Sequence, residues 1–600
     1  MNFREFVKYV LIVTVSTIAT IGTVIFLLYI SMVGLMMSFE QSLDNDTSKA
    51  KIFSHSVLEL RLDYPVKEKT DDPFENFDFT TFKMKPALTL HQIIEAIDHA
   101  TYDHRIEALL IHPGVIEAGW ASVYEIRQAV KRFKESGKPV LAYSEAFSQK
   151  AYYLSSVSDD IFLDQMGFIE WKGLASQIMF YKNLLDRLGI EMQVIRHGKF
   201  KSAVEPFVQE RMSEENRLQM RTLLFDLWDH ILNEVDFGRK SELQRIADEL
   251  PYATPSEWLK SGFIDAVISD RDEIAEYLEE KTGTVAEDIR IINETDYYYK
   301  SKAKKIFEKL KPGEHVAVVI AEGTIVNGEG DKNQIGGDKL ARLIRKLKED
   351  DDVKAVVLRI NSPGGSALAS EIIYRELVKL KEEKPLVVSM GDVAASGGYY
   401  IAAPAREIFA APYTITGSIG VFGLIPDLSR MTEDKLHINI DTVKTNPHAD
   451  MSVFRPLDEI ERENLQKTVS FVYDIFLDRV AQSRNMSKSR VDSIGQGRVW
   501  SGLRAVELNL ADQTGTLQDA IERAAILADL PFGYEVKYYP EIDNPFASLF
   551  GLQSADLESS LLSLLWKKLW GMDYEHNFDY LYRKENRIQA RLAYEIKMPD

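Results

Sequence analysis

The chain repeats itself at a domain-sized offset, and this duplication restricts the folds that it can adopt. Tyr152 and Tyr399 lie 247 positions apart, each is followed by a second tyrosine, and the apolar runs that begin at Ala108 and Ala355 share the same offset. Repeats that build solenoids are about 20–50 residues long, so this period is too long for such an array. The sequence therefore predicts two tandem copies of one fold.

Each copy contains the same succession of apolar and amphipathic segments. Short apolar runs predict buried strands, and the stretch between two such runs has helical periodicity. The strands are predicted at 108–111, 139–143, 355–360 and 385–390, and the helices at 123–133 and 370–381. Strand, helix and strand at this spacing form βαβ units with a parallel sheet. We therefore expect an α/β fold in both copies, with the boundary between them near residues 300–313.

The overall composition narrows the functional classes. The chain has 600 residues, of which 45% are hydrophobic and 27% charged, as is typical of a globular protein with several domains. Its formal net charge is −20, and this acidic excess argues against nucleic-acid binding, which requires clustered Lys and Arg. The chain contains no cysteine, which excludes thiol nucleophiles, thiolate metal sites and disulfide bonds.

The N-terminal region has the pattern of a membrane anchor. No charged residue occurs between Tyr9 and Phe39, and a membrane-spanning helix needs about 20 such residues. Arg4 and Lys8 precede this run, which favours a cytoplasmic N-terminus with the bulk of the chain on the other side. The alternative is a cleaved signal peptide, but its apolar region is usually about 7–15 residues long. We therefore predict an uncleaved anchor at residues 1–40.

The two copies differ at a turn that is suited to present a catalytic side chain. In the second copy Ser396 stands between Ala-Ala and Gly-Gly after a predicted strand, whereas Gln149 stands at the matching position of the first copy. A strand-to-helix turn of small residues is how several hydrolases expose a serine nucleophile. The common alternative for such a serine is a helix cap. Because the first copy has Gln149, the fold itself does not require a serine there.

A serine nucleophile needs a base, and the sequence offers two kinds. His437 and His448 lie in the second copy, but neither is set in a small-residue or Asp-containing turn. Lys199 and Lys201 lie among apolar residues of the first copy, and burial favours the neutral amine that a base requires. An extended segment would point both lysines to the same face, so their spacing does not distinguish them, and a solvated surface lysine is the alternative for either.

Glycines near the second-copy turn are suited to hold an oxyanion. Gly364 and Gly365 follow a predicted buried strand, and their N–H groups with that of Gly397 would stabilise a tetrahedral intermediate. Each such donor contributes about 3–4 kcal/mol to catalysis. A tight turn that needs glycine for steric reasons is the alternative. A further Gly/Ser turn occupies residues 416–420.

Four motifs together resemble the signal peptide peptidase A family, also called protease IV, in its long, duplicated form with an N-terminal anchor. The motifs lie at residues 200–207, 361–365, 391–399 and 416–420. The resemblance runs from the anchor to about residue 530. It implies a tandem duplication of a Clp-protease/crotonase-like α/β fold, preceded by one N-terminal transmembrane helix.

The resemblance also implies a serine endopeptidase with a Ser/Lys dyad that needs no cofactor or metal and degrades signal peptides and other short peptides. The roles that it implies are Ser396 as nucleophile, Lys201 as general base, Ser418 as the hydroxyl that orients the Lys amine, and Gly364, Gly365 and Gly397 as the oxyanion turn. It further implies a single-pass protein of the bacterial inner membrane that faces the periplasm. The family assembles as a homotetramer, with the dyad completed between the two repeats.

The sequence predicts four segments along the chain. The predicted domains are an anchor at 1–40, a first repeat with the base at 41–310, a second repeat with the nucleophile at 311–535, and a tail at 536–600. The apolar stretch at 557–572 of the tail is a candidate for interfacial binding or subunit contact, and a core helix is equally compatible. Two alternative functions are a crotonase-like acyl-thioester enzyme that does not use Ser396 and a catalytically silent membrane scaffold.

Overall fold

The computed structural model describes most of the two repeats. The described residues are 52–69, 77–78, 83–84, 87–235, 240–249, 253–302, 313–540 and 589–591. The anchor predicted at 1–40 and the apolar stretch at 557–572 lie outside them. Among the helices in the described ranges, none combines the length and the apolar character that a membrane crossing requires.

The first repeat is built on a parallel six-stranded sheet in the order β8-β6-β5-β4-β1-β9. The described strands are β1 (Ser56–Leu60), β2 (Phe77–Asp78), β3 (Lys83–Met84), β4 (Ile106–Ile111), β5 (Val140–Phe147), β6 (Asp160–Ile169), β7 (Glu191–His197), β8 (Ala266–Ile268) and β9 (Arg290–Asn293). The described helices are α1 (Leu90–Tyr102), α2 (Trp120–Glu135), α3 (Gln149–Ser155), α4 (Lys182–Leu188), α5 (Glu205–Val208), α6 (Glu214–Val235), α7 (Lys240–Glu249), α8 (Pro255–Ser261), α9 (Asp272–Thr282) and α10 (Glu294–Lys302).

The second repeat has an equivalent sheet in the order β19-β17-β15-β13-β10-β21, with β16 beside β15 and β20 beside β16. Its described strands are β10 (His315–Glu322), β11 (Thr324–Val326), β12 (Gln334–Gly336), β13 (Val353–Ser362), β14 (Gly364–Ser366), β15 (Leu386–Ala395), β16 (Glu407–Ala410), β17 (Ile415–Gly417), β18 (Val421–Asp427), β19 (Val499–Ser501), β20 (Gln513–Thr514) and β21 (Glu535–Tyr539). Its described helices are α11 (Gly337–Glu349), α12 (Ala367–Glu383), α13 (Gly397–Ala402), α14 (Glu459–Ser483), α15 (Lys488–Ile494), α16 (Gly502–Glu507) and α17 (Leu517–Leu527). β21 carries this sheet past the predicted boundary at residue 535.

Equivalent contacts recur at the 247-residue offset. In the first repeat the Tyr152 hydroxyl donates to the carbonyl of Phe263 at 2.8 Å, and in the second the Tyr399 hydroxyl donates to that of Leu510 at 2.9 Å. Each of these tyrosines lies on the short helix that follows the second strand of its βαβ unit, α3 after β5 or α13 after β15. The duplicated α/β fold predicted from the sequence is therefore confirmed.

Both faces of the second sheet are covered, which explains its nearly continuous apolar strands. Successive side chains of β10 point to opposite faces. Val316 and Val318 pack in the cluster that includes the apolar side of α17, whereas Ala317 and Val319 pack in the larger cluster with α11 and α12. All four side chains are fully buried. This rigid sheet supports β15, which is longer than predicted and ends at Ala395, directly before the candidate nucleophile.

A third sheet, in the order β12-β11-β14-β22-β18-β7, joins the two repeats. Strand β7 of the first repeat pairs in antiparallel register with β18 of the second, from Val421 opposite His197 to Asp427 opposite Glu191. The strand β22 (Gln589–Arg591) lies between β14 and β18. Because β7 ends where β18 begins, the residues that follow His197 are brought next to those that precede Val421.

Buried polar contacts also fix one repeat against the other. Arg359 on β13 is completely buried and forms ion pairs with Glu68 at 2.6 Å and with Glu125 at 2.7 Å, both from the first repeat. The carboxylate of Asp392, at the end of β15, accepts hydrogen bonds from the N–H groups of Ala121 and Ser122 at 2.9 and 3.1 Å. Breaking a buried pair of this kind costs about 3–5 kcal/mol, so these contacts hold the repeats in one orientation.

Candidate active site

Ser396 occupies a strained turn between β15 and α13. Its φ is +55°, a region that residues other than glycine rarely adopt. The backbone holds this conformation because the Ser396 N–H donates to the carbonyl of Gly417 at 2.8 Å, and its own carbonyl accepts from the N–H of Tyr400 at 2.9 Å. Among the described residues its hydroxyl makes no capping hydrogen bond to α13. The helix-cap alternative is therefore not the role of this side chain.

Small residues around Ser396 are required by close backbone packing. A Cβ atom added to Gly398 would lie 2.6 Å from the carbonyl oxygen of Ser362, a distance that real Cβ atoms do not reach. The first turn of α13 therefore rests directly against the end of β13. This contact holds the serine at the carboxyl end of the sheet.

Lys201 from the first repeat reaches this serine. Its Nζ lies 2.7 Å from Ser396 Oγ and 3.1 Å from both the hydroxyl and the carbonyl oxygen of Ser418. The side chain is 1% exposed, and burial lowers the pKa of the Lys201 ammonium well below its usual value. A neutral amine in this position is close enough to be able to accept a proton from the serine hydroxyl.

The structure distinguishes the two candidate lysines. After β7 the chain turns at Gly198, whose φ is +103°, and the Lys201 N–H donates to the carbonyl of Gly198 at 3.2 Å. The segment is therefore not extended, so the condition under which both lysines would share one face is not met. Lys199 is exposed, with its Nζ 5.3 Å from the centre of the Phe200 ring.

Neither candidate histidine is placed at the buried serine. His437 is exposed, and His448 pairs with Asp458 at 2.9 Å on the surface. Ser396 and Lys201, in contrast, are both almost fully enclosed. The structure thus brings together the serine and one lysine and leaves both histidines apart from them.

Ser418 is held by the same kind of strained turn. Its φ is +51°, and its N–H donates to the carbonyl of Arg498 at 2.7 Å. Its hydroxyl lies 3.1 Å from Lys201 Nζ and 3.5 Å from the carbonyl oxygen of Gly497, to which it donates. This geometry leaves a lone pair of the hydroxyl directed at the amine, which fixes the position of the amine.

Glycines of the second repeat enclose Lys201 tightly. A Cβ on Gly497 would lie 2.6 Å from the Cβ of Lys201, and a Cβ on Gly420 would lie 3.2 Å from its Cδ. The backbone of the second repeat therefore lies against the Lys201 side chain on two sides, and it excludes water from the aliphatic part of that side chain. Gly420 belongs to a turn motif that is visible in the sequence, whereas nothing in the sequence indicates the role of Gly497, because its contact with Lys201 exists only after the repeats have packed together.

The predicted oxyanion glycines lie beside the serine turn on β14. Gly364 and Gly365 have φ values of +94° and +159°, and a Cβ on Gly365 would lie 2.0 Å from the carbonyl oxygen of Ile325. The Gly364 N–H already donates to Ser362 Oγ at 3.1 Å. An oxyanion would have to compete with Ser362 for that donor, which favours Gly365 and Gly397 as the oxyanion donors.

Gln219 on α6 is a supporting residue that the sequence analysis missed. It is 2% exposed, and its amide donates to the carbonyl of Phe200 at 3.1 Å and to Ser202 Oγ at 3.0 Å. Its amide oxygen accepts from the N–H of Val499 on β19 at 3.3 Å. Gln219 therefore ties the loop that carries Lys201 to the second repeat. A lone glutamine on a helix has no sequence signal that would indicate this role.

Each repeat of the chain is similar to known proteins. The model of peptidase family S49 matches residues 132–284 and 378–531, one segment in each repeat. The chain is 33% identical to Protease 4 of Haemophilus influenzae over 521 residues, covering 84% of each chain. It is 35% identical to Protease 4 of Salmonella typhi, covering 80% of this chain and 78% of the relative. It is 34% identical to the chloroplastic serine protease SPPA of Arabidopsis thaliana, covering 78% and 70% respectively. The finer Clp-protease/crotonase-like assignment stays a prediction.

Proposed function

Because this chain belongs to peptidase family S49 and is a serine peptidase by that relationship, we propose that it is an endopeptidase with a Ser/Lys dyad. Ser396 is the nucleophile and Lys201 the general base. The observation that carries this proposal is the 2.7 Å separation of Lys201 Nζ from Ser396 Oγ in a buried site. The substrates are cleaved signal peptides and other short unfolded peptides.

The proposed reaction begins with neutral Lys201. Its amine takes the hydroxyl proton of Ser396 as Oγ bonds to the carbonyl carbon of the scissile peptide. The N–H groups of Gly365 and Gly397, with Gly364 as a further candidate, stabilise the resulting oxyanion. The C–N bond then breaks, and the Lys201 ammonium returns its proton to the leaving amine, which generates the acyl-enzyme.

Hydrolysis of the acyl-enzyme uses the same groups. Lys201 takes a proton from a water molecule as the water oxygen adds to the ester carbonyl. The C–O bond to Ser396 breaks, the serine oxygen recovers the proton from Lys201, and the carboxylic acid product leaves. Ser418 holds the amine in line with Ser396 throughout, since its hydroxyl and carbonyl oxygens both lie 3.1 Å from Lys201 Nζ.

The proposed substrate is an extended peptide. It would hydrogen-bond as a strand to β14, which carries Gly364 and Gly365, in the position that β22 occupies in this structure. Recognition through the peptide backbone tolerates many side chains, and apolar and small side chains would enter pockets beside the sheet edge. Since a folded protein does not offer such a free strand, short unfolded peptides are the substrates that fit.

The proposed location is the bacterial inner membrane. Residues 1–40 would form a single anchor with a cytoplasmic N-terminus, and both repeats would face the periplasm. The charge pattern around the apolar run supports this orientation. The resemblance to the signal peptide peptidase A family supports assembly as a homotetramer. Protease accessibility of the two repeats in spheroplasts tests the orientation, and sedimentation of the purified chain tests the assembly.

Cleavage of a synthetic signal peptide tests the proposed activity. Ser396→Ala should lower kcat by at least about 10³-fold, because the nucleophile is lost. The matched control is Ser148→Ala, which removes a helix-capping serine of the first repeat and should leave kcat within about twofold. A fluorophosphonate probe should label the wild type and the control but not Ser396→Ala.

Two outcomes would contradict the proposal. Undiminished activity of Ser396→Ala, together with hydrolysis of acyl thioesters, would favour the crotonase-like alternative. A folded wild type that neither cleaves the peptide nor reacts with the probe would favour the silent scaffold.

A further inference from the structure

The strand β22 lies beside the elements that form the candidate active site. It pairs in antiparallel register with β14, with Gly364 opposite Arg591, Gly365 opposite Ala590 and Ser366 opposite Gln589. On its other side Gln589 pairs with Phe422 of β18, also in antiparallel register. Its backbone also approaches α13, the helix that follows Ser396. The C-terminal segment of the chain therefore enters the catalytic region as a strand.

The slot that β22 fills is the position where an extended substrate would bind. Strand β14 carries the oxyanion glycines, and β18 begins shortly after Ser418. The opposite edges of these two strands are already paired, β14 with β11 and β18 with β7. A strand added between them completes the sheet through backbone hydrogen bonds, which is the β-augmentation mode of peptide recognition.

We propose that the segment containing Gln589–Arg591 is an intramolecular pseudosubstrate, which competes with peptide substrates for the slot between β14 and β18. This inference rests on the proposed peptidase function, because it assigns the same slot to the substrate. The occupant of the slot is a segment of this same chain, because its residues Gln589–Arg591 form the strand that pairs with β14. Its binding uses backbone groups, as substrate binding would.

The covalent tether makes this competition effective. Forty-nine residues separate Tyr539 at the end of β21 from Gln589, and a chain of that length can extend to about 170 Å. A tethered segment has an effective concentration on the order of 1 mM when its linker can reach the site. A weakly binding segment therefore still occupies the slot for much of the time. A free peptide at micromolar concentration must displace it, which raises KM and leaves kcat unchanged.

Proline substitution in the full chain tests this inference. Ala590→Pro should free the slot, because proline lacks the N–H group and fixes φ at a value unsuited to a central strand. We expect KM for a synthetic signal peptide to fall about threefold or more, with kcat within about twofold. Ala593→Pro, the same substitution outside β22, is the matched control and should retain the wild-type KM.

A binding experiment gives a second measurement that does not need catalysis. A fluorescent peptide with the sequence of residues 586–594 should bind the double variant Ser396→Ala/Ala590→Pro more tightly than Ser396→Ala alone, because the tethered segment no longer competes. The synthetic signal peptide should displace it, and the same 586–594 peptide with proline in place of Ala590 should bind at least about tenfold more weakly, because it lacks an N–H group needed for strand pairing. Circular dichroism of each variant establishes that it is folded.

Several outcomes would overturn the pseudosubstrate role. These are an unchanged KM in Ala590→Pro, an equal change in Ala593→Pro, and failure of the 586–594 peptide to bind. Cleavage within residues 586–594 in the wild type but not in Ser396→Ala would show that the segment is a substrate instead of an inhibitor. If no variant cleaves any peptide, the proposed peptidase function fails, whereas the binding experiment still tests occupancy of the slot.

Discussion

The two repeats contain the same strand-to-helix turn and use it differently. In the second repeat Ser396 adopts a φ of +55°, and its hydroxyl lies 2.7 Å from Lys201 Nζ. At the matching position of the first repeat, Gln149 is already the first residue of α3, and Ser148 caps that helix by accepting from the N–H of Ala151 at 3.3 Å. The fold therefore permits a relaxed, helical form of this turn. The strained form occurs in the repeat that presents a buried hydroxyl to the lysine.

In the first repeat Gln149, at the matching turn, has a structural role. Its side chain is fully buried, and its amide oxygen accepts from the N–H groups of Lys172 and Gly173 at 3.1 and 2.9 Å. This residue closes a loop of the first repeat, whereas Ser396 stands at a site that receives a side chain from the other repeat. In the proposed mechanism, one copy therefore supplies the nucleophile and the other the base.

Substitution of the two lysines is the strongest test of the proposal that the first repeat supplies the base and the second repeat the nucleophile. Lys201→Ala should lower kcat for peptide cleavage by about 10³-fold, because general bases contribute about 10²–10⁴-fold. Lys199→Ala should retain activity within about twofold, since Lys199 is exposed on the same loop. The kcat/KM of the wild type should rise with pH through an apparent pKa well below the usual value for lysine. Loss of activity in Lys199→Ala with retention in Lys201→Ala would reverse the assignment.

Ser418→Ala should have a smaller effect on the same reaction. It removes the hydroxyl that lies 3.1 Å from Lys201 Nζ but leaves the carbonyl oxygen at the same distance. We expect kcat to fall about 10- to 100-fold with little change in KM, because Lys201 becomes a charged ammonium as it takes the proton, and losing one hydrogen bond to a charged group costs about 1.5–3 kcal/mol. Thr416→Val is a suitable control, since the Thr416 hydroxyl donates to the carbonyl of Ala394. Steady-state kinetics that show the same kcat in Ser418→Ala and wild type would exclude an orienting role.

Gln149→Ser tests whether the first-repeat turn is structural. The serine is too short to reach the N–H groups of Lys172 and Gly173, so the free energy of unfolding should fall by about 1–3 kcal/mol. Peptide cleavage should stay within about twofold of wild type. Gln518→Ser, at a surface position whose amide bonds Glu522, should change the unfolding free energy by less than about 0.5 kcal/mol. A large activity loss in folded Gln149→Ser would show that the two turns are functionally coupled.

Lys201→Met tests the cost of burying the base. The pKa of Lys201 is lower in the folded than in the unfolded chain, so unfolding takes up a proton at pH values between the two. Wild-type stability should therefore gain with rising pH in that window, up to the unfolded pKa near 10.5. The Lys201→Met variant should lack this gain, whereas Lys199→Met should keep it. Urea unfolding from pH 7 to 10 measures the difference, and parallel curves for wild type and Lys201→Met would contradict burial of a neutral amine.

The duplication, the α/β class and the candidate nucleophile could all be predicted from the residue pattern alone. The 247-residue offset is a property of the chain, and the apolar runs that became β4, β5, β13 and β15 carry their strand signal locally. Ser396 was also visible, because small residues flank it on both sides and the other copy replaces it with Gln149. These features are properties of the residue order, so they can be recognised without knowledge of the tertiary structure.

Which lysine lies at the serine, and how its pKa is lowered, depends on the tertiary structure. Lys199 and Lys201 look alike in the residue pattern, and the family resemblance supplied the choice that the pattern did not. Lys201 is buried because β7 pairs with β18 and because Gly420 and Gly497 of the second repeat close around it. Desolvation depends on groups more than 200 positions away, so no local pattern encodes it. The placement of β22 beside β14 has the same origin, because strand pairing over this distance is set by the folded sheet.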